Sequence, residues 1–244
     1  MPTTYVLVHG AWMGKFSWDD VVPRLTALGH TVVAVELPGH GEDNSPLAEQ
    51  TLANYRDTVI KAVEAQNEPV VLVGHSMGGM VISEVAEAVP DRINTLVYVA
   101  GYLPQNGDTL LALAGQDKGS LITAEGAAPT LLFAPDYSTS TIAESAIVPV
   151  FCADCDSQHA QFLIEKHKPE AGAPFGAAAT LTEQNFGKVR KVYIETLQDK
   201  AVSHQLQQLM LAKTPADKTL TLDSSHSPFF SMPAALVAHL TNLD

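Results

Sequence analysis

The stretch VVLVGHSMGGMV, Val70 to Val81, decides how the chain folds. Four apolar residues run into Gly74-His75-Ser76-Met77-Gly78, and an apolar pattern with helical spacing resumes at once. The run before Gly74 reads as a buried strand, and Met77 to Val89 as a helix. G-x-S-x-G between a strand and a helix is the signature of a nucleophile held on a tight turn. Such a turn strains the backbone of the serine and leaves no room for bulk beside it. Gly74 and Gly78 supply that room, with Gly79 as further clearance. The helix from Met77 points its positive dipole end at the place where negative charge would develop.

The same alternation extends outward on both sides. Thr4 to His9 reads as a first strand, Trp18 to Gly29 as a helix stopped by glycine, and Thr31 to Leu37 as a second strand. Thr51 caps an amphipathic helix that runs to Gln66, and Ile93 to Ala100 is the strand after the Ser76 helix. These strands are short, apolar and not alternating, as expected of strands covered by helices on both faces. The reading is an α/β fold with a mostly parallel, doubly wound sheet. The rhythm breaks at Leu103 and returns near Gly187, with strand KVRKVYIETL, helix SHQLQQLMLAK, strand KTLTLD and helix PAALVAHLTNL. The interval carries Pro104, Pro129, Pro135, Pro149, Pro169 and Pro174 and is too long for an ordinary loop. Residues 103–187 are therefore read as a cap inserted over the sheet edge. Residues 1–102 and 188–244 are read as the core.

A serine hydroxyl needs a base, and the base needs an orienting acid. In this architecture the acid and then the histidine follow the serine, in loops after late strands. Asp199 follows one such strand and His226 the next. Of the nine histidines only His226 occupies such a loop. Glu195 lies within a strand, Asp217 precedes one and Asp223 is close to His226 in sequence, so Asp199 is the acid of choice. An oxyanion hole needs two backbone N–H groups. Met77, directly after the serine, offers one. The exit of the first strand, HGAWMG, offers the other at Ala11, with Trp12 the nearest rival.

The composition is that of a globular protein. The 244 residues include 46% hydrophobic and 17% charged, which excludes a disordered chain. A net charge of −13 repels phosphate backbones and anionic lipid, so neither nucleic acid nor membrane is an expected partner. No apolar run reaches the roughly 20 residues that cross a bilayer. The start, MPTTYVLVHG, reads as a first strand rather than a signal peptide, so a cytoplasmic protein is expected. Cys152 and Cys155 form a CxxC pair without a second pair for zinc and outside a thioredoxin-like unit. They are read as two ordinary thiols in a packed segment. Phe133, Tyr137, Phe151, Phe162 and Phe175 are expected mainly in the core of the cap.

VLVHGAW, LTALGHTVVAVELPGHG, VVLVGHSMGGMV, ETLQDK and SSHSPFFSMP together resemble the α/β-hydrolase superfamily. They are most similar to the branch of plant methylesterases and hydroxynitrile lyases with their bacterial esterase relatives. FCADC in the cap is similar to a segment of those proteins. The resemblance implies the α/β-hydrolase fold and a Ser-His-Asp triad on Ser76, His226 and Asp199. It implies Ala11 and Met77 at the oxyanion hole, and no metal or organic cofactor. Hydroxynitrile lyases of this branch carry a lysine directly after the catalytic histidine and a threonine in the early oxyanion loop. Ser227 and Ala11 stand there instead, which favours ester hydrolysis over cyanohydrin cleavage. Ser227 also departs from the methionine frequent in the plant esterases. The expected function is thus a serine carboxylesterase for small to medium, including aromatic, esters. A lyase or C–C bond hydrolase using the same triad, and a low-turnover ligand receptor, are the alternatives. The expected partner is a small-molecule ester, the chain acting alone or as a homodimer.

Overall fold

The computed structural model describes residues 2–123 and 130–243, so Pro129 lies outside the described residues. The central sheet has six strands: β1 (Thr4–Val8), β2 (Thr31–Val35), β3 (Val70–His75), β4 (Ile93–Val99), β8 (Arg190–Thr196) and β9 (Lys218–Leu222). Their order is β2-β1-β3-β4-β8-β9, and every pairing is parallel. All six residues of β3 are buried, which is why its sequence shows no polar alternation. At the far edge, β9 alternates between exposed and covered residues, as a strand with less cover should.

Helices α1 (Val22–Ala27), α2 (Leu52–Glu64) and α3 (Gly78–Ala88) follow the early strands. The capping box at Thr51 is present: its side chain accepts from Asn54 N–H, and Asn54 answers at the Thr51 N–H. The helix expected over Trp18 to Gly29 is shorter. Lys15–Trp18 is a single 3-10 turn, and α1 starts only at Val22. Pro23 explains the difference, because proline fits the first turn of a helix and not its interior.

Between β4 and β8 the chain forms a second unit rather than irregular coil. A three-stranded antiparallel sheet, ordered β5 (Leu131–Phe133), β6 (Thr139–Ile142) and β7 (Glu170–Ala171), joins α4 (Leu110–Ala114), α5 (Glu144–Phe151), α6 (Ser157–Lys166) and α7 (Ala173–Gly176). The chain ends through α8 (His204–Lys213), the short α9 (Pro228–Ser231) and α10 (Pro233–Leu240). Among the described residues no helix is long and apolar enough to cross a membrane.

The expected pair of free thiols is replaced by a disulfide between Cys152 and Cys155. Helix α5 ends just before it, and the Cys155 N–H donates to Cys152 O at 3.1 Å. That turn leaves the two Cα atoms 5.2 Å apart, within bridging range. The cap aromatics divide. Phe151 and Phe175 are buried, and Phe162 meets Phe16 and Phe230 edge-on. Phe133 and Tyr137 pack on each other at the surface, so they are not cap core.

Candidate active site

Ser76 sits where β3 turns into α3, with φ at +54°. A non-glycine residue in the left-handed region is strained and persists only where its surroundings hold it. Three backbone bonds do so here. The Ser76 N–H donates to Val99 O at 3.3 Å, and Ser76 O accepts from Gly79 N–H at 2.9 Å and Tyr102 N–H at 3.0 Å. The flanking glycines are required by space. A Cβ on Gly74 would lie 2.6 Å from Gly78 O. A Cβ on Gly78 would lie 2.8 Å from His9 O and 2.9 Å from Val8 O. Both obstacles are backbone and cannot rotate away. Gly78→Ala is expected to cost about 1–3 kcal/mol of stability by overpacking. The urea midpoint of unfolding checks this, and an unchanged midpoint would contradict the crowding.

His226 and Asp199 meet across two loops. His226 Nδ1 donates to Asp199 Oδ2 at 2.7 Å, and both side chains are almost fully buried. Oδ2 also accepts from the Thr196 hydroxyl at 2.8 Å. Oδ1 accepts from the N–H groups of Ala201 at 2.8 Å and Val202 at 2.9 Å. Gln207 Nε2 also donates to Oδ2, at 3.4 Å, so Oδ1 is matched by two donors and Oδ2 by three. The acceptor at Nδ1 fixes the tautomer, leaving the lone pair on Nε2. Nε2 is buried without a hydrogen-bond partner among the described residues. The His226 ring lies 4.5 Å from that of His75, the neighbour of Ser76, and His226 O accepts from His75 Nε2 at 2.8 Å. Among the described residues no hydrogen bond joins Ser76 to Nε2, and such bonds commonly tighten only with substrate.

The two expected oxyanion donors stand apart from their rival. The N–H groups of Ala11 and Met77 have no partner among the described residues. The Trp12 N–H is taken by Glu170 Oε2 at 3.4 Å. The orientation of the Ala11 amide follows from His9. Its Nε2 accepts from Leu37 N–H at 3.2 Å, so the proton is on Nδ1, which donates to Gly10 O at 2.8 Å. Gly10 C=O and Ala11 N–H belong to one trans peptide, so anchoring the oxygen fixes the N–H in the opposite direction. Burial pushes the His9 imidazole down to about 3, which keeps it neutral in this role. Ala11, Ser76 and Met77 line one cavity of about 60 Å³, whose walls are mainly apolar and include Leu110, Phe175 and Val202.

The other acids and histidines are accounted for elsewhere. Glu195 pairs with His204 at 2.9 Å, and Asp223 accepts from Gln198. His159 lies between Asp20 and Asp156.

Two supports escaped the sequence reading. Asp154, inside the disulfide turn, accepts from the Ser225 N–H at 3.0 Å and from its hydroxyl. Phe151 packs 5.7 Å from the His226 ring. The CxxC segment thus holds the loop that carries His226. Its only signal in the sequence was the FCADC string, which says nothing of a partner. Glu170 is the second. It is a fully buried carboxylate, preceded by Lys168-Pro169, with no motif around it.

Comparison with known proteins bears on the family and the fold. Methyl jasmonate esterase 1 of Vitis vinifera is 28% identical over 255 aligned positions, covering 98% of this chain and 95% of the relative. Methylesterase 9 of Arabidopsis thaliana is 27% identical, covering 98% and 97%. Among solved structures, polyneuridine aldehyde esterase superposes with a TM-score of 0.88 at 21% identity, over 100% of this chain and 99% of the other. At that identity the match speaks for the fold. The profile of the family described as "Alpha/beta hydrolase family" matches residues 5–239, and this chain belongs to that family.

Proposed function

We propose that the protein is a serine carboxylesterase that works through an acyl-enzyme on Ser76. The observation that carries the reading is the buried Asp199–His226 pair, whose free Nε2 stands beside the strained serine turn. His226 Nε2 takes the proton of Ser76 as Oγ attacks the ester carbonyl. The Ala11 and Met77 N–H groups receive the oxyanion of the tetrahedral intermediate. The alcohol leaves with the proton from Nε2, and water activated by the same nitrogen frees the acid. Asp199 holds the imidazole in its tautomer and stabilises the cation that forms.

The cavity at Ser76 is apolar and narrow, which supports a small or medium acyl group over a charged one. The methylesterases among the relatives support a simple alcohol on the other side of the ester. In this reading residues 103–187 are the cap that shapes the pocket, on a core of residues 1–102 and 188–244. Nothing at the site favours a lyase or a receptor. The position after His226 holds Ser227, whose buried hydroxyl has no partner among the described residues, where a cation would be needed. The enzyme is read as cytoplasmic, alone or as a homodimer. The Cys152–Cys155 disulfide, a bond that oxidising compartments preserve, is the one feature that pulls against that location.

The test is pre-steady-state hydrolysis of p-nitrophenyl acetate. The wild type is expected to release a burst of about one p-nitrophenol per chain and to carry acetyl on the Ser76 peptide by mass spectrometry. Ser76→Ala is expected to show neither. A burst of equal size in both proteins would sink the reading.

A further inference from the structure

Glu170 is a carboxylate of the second sheet, on β7, yet every group it binds outside its own strand belongs to the core. Its Oε1 accepts from the Tyr55 hydroxyl of α2 at 2.7 Å and from Ala171 N–H at 2.8 Å. Its Oε2 meets His40 Nε2 at 2.6 Å and accepts from Trp12 N–H at 3.4 Å. Glu170 and the His40 and Tyr55 side chains are buried from solvent. The other His40 nitrogen faces a second acceptor, Pro38 O, at 3.1 Å. Both nitrogens therefore carry hydrogen, and the pair is an imidazolium with a carboxylate. An ion pair without solvent costs desolvation that a hydrophobic pair would not. Its presence against the Trp12 N–H calls for an account other than stability.

Trp12 supplies that account. Its φ is +60°, a strained conformation for a bulky side chain. The second unit grips it at three points besides Glu170. Its indole N–H donates to Ser140 O at 3.2 Å, its carbonyl accepts from Lys168 N–H at 3.2 Å, and its ring packs on Phe175. The peptide before Ala11 is anchored by His9, and the peptide after it by Glu170. Ala11 lies between two fixed planes, with its own N–H left free.

We propose that Glu170 is a positioning residue of the oxyanion hole: through the Trp12 N–H it holds the Ala11 amide in the geometry that receives the developing oxyanion. The inference rests on the esterase reading above. It makes the inserted segment part of the catalytic apparatus, since the hole forms only where the segment is docked on the core. The carboxylate is suited to this because its charge strengthens a long bond to an N–H that nothing else satisfies. Glutamine would set its NH2 against a backbone N–H that cannot turn away on one side or the other, Trp12 or Ala171, while a neutral His40 could accept from it at Nε2.

The experiment compares wild type, Ser76→Ala, Glu170→Gln and the double variant His40→Leu/Glu170→Met. For each, kcat and KM for p-nitrophenyl acetate and the melting temperature are measured. Inhibition by an aryl trifluoromethyl ketone is measured beside its plain methyl ketone analogue. The fluorinated ketone takes Ser76 Oγ at its carbonyl carbon, the serine proton passes to His226, and an oxyanion is left in the hole. The methyl ketone binds without that step.

Glu170→Gln is expected to lower kcat about 10- to 100-fold with KM within about threefold. The preference for the fluorinated ketone is expected to fall by the same factor. Should that variant not fold, the double variant decides, because it removes both buried charges together and leaves neither unpaired. A loss of kcat with an unmoved ketone preference would overturn the positioning role, as would unchanged kcat in a folded variant. Equal turnover by wild type and Ser76→Ala would overturn the esterase reading itself and this proposal with it.

Discussion

Asparagine in place of Asp199 is expected to lower kcat for p-nitrophenyl acetate about 10⁴-fold while leaving the fold and KM nearly intact, because it imposes the wrong tautomer on His226. The side chain has two oxygens with different partners. Oδ1 receives two backbone donors, Ala201 and Val202, that cannot turn away. The amide oxygen of asparagine must take that place, since an NH2 there would face two N–H groups with nothing to accept it. The NH2 then occupies the Oδ2 position, 2.7 Å from His226 Nδ1. It can only donate, so Nδ1 must accept and the proton moves to Nε2. An Nε2 that already carries a proton cannot take one from Ser76. Two other donors reach Oδ2: the Thr196 hydroxyl can rotate to accept from the new NH2, and the Gln207 amide, at 3.4 Å, keeps its shorter bond to Val202 O, so neither prevents the switch. Steady-state kinetics with a matched melting curve measure the effect. A fall of less than about tenfold in a folded Asp199→Asn variant would mean that the acid only buttresses the loop.

The sequence shows the site more plainly than its supports, and the reason is physical. Ser76 and Asp199 follow the buried strands β3 and β8, which announce themselves as apolar runs, and His226 follows β9, whose Thr-Leu-Thr-Leu alternation marks an edge strand. Their roles also restrict their residue types. Glu170 does neither. Its partners Tyr55, His40 and Trp12 are 115, 130 and 158 residues away in sequence, so no local pattern connects them. The second sheet was missed for a related cause. Strands β5 to β7 have only 3, 4 and 2 residues, too short for a period of two to register. Their pairing is set by the docking of the whole segment. The over-long first helix is a different failure. The apolar spacing from Trp18 to Gly29 is real, but Trp18 closes a 3-10 turn and residues 19–21 form a turn, because Pro23 sets where an α-helix can begin. The cysteines show the limit of spacing alone. CxxC fixes their separation along the chain, and only the turn after α5 decides that they bond to each other.

Acid is expected to unfold this protein well before its carboxylates are exhausted, because three histidines are held neutral inside it. Burial lowers His9 to about 3, and the charge on nearby His40 adds to the effect. Burial pushes His75 well down, with repulsion from His226 behind it. Burial lowers His167 to about 4. In the unfolded chain each titrates near about 6.5. Above that pH neither state binds the protons, and the stability is unaffected. Below it the unfolded chain takes up protons that the folded chain refuses, so each histidine removes about 1.4 kcal/mol per pH unit. The loss from His167 ends near its folded value of about 4, and that from His9 near about 3. His40 does not offset this. Its pKa is raised by Glu170 against the desolvation that lowers it, so its contribution is complete below about 6.5 and disappears only as pH rises through the folded value. Three slopes acting together over two pH units remove several kcal/mol, against a total of about 5–15 for a domain. Urea unfolding at about pH 7.5, 6 and 5 should therefore show a steep and accelerating loss. His167→Gln, away from the serine, should flatten the slope by about 1.4 kcal/mol per pH unit. A midpoint that does not move between about pH 7 and 5 would mean that these histidines are solvated in the folded state.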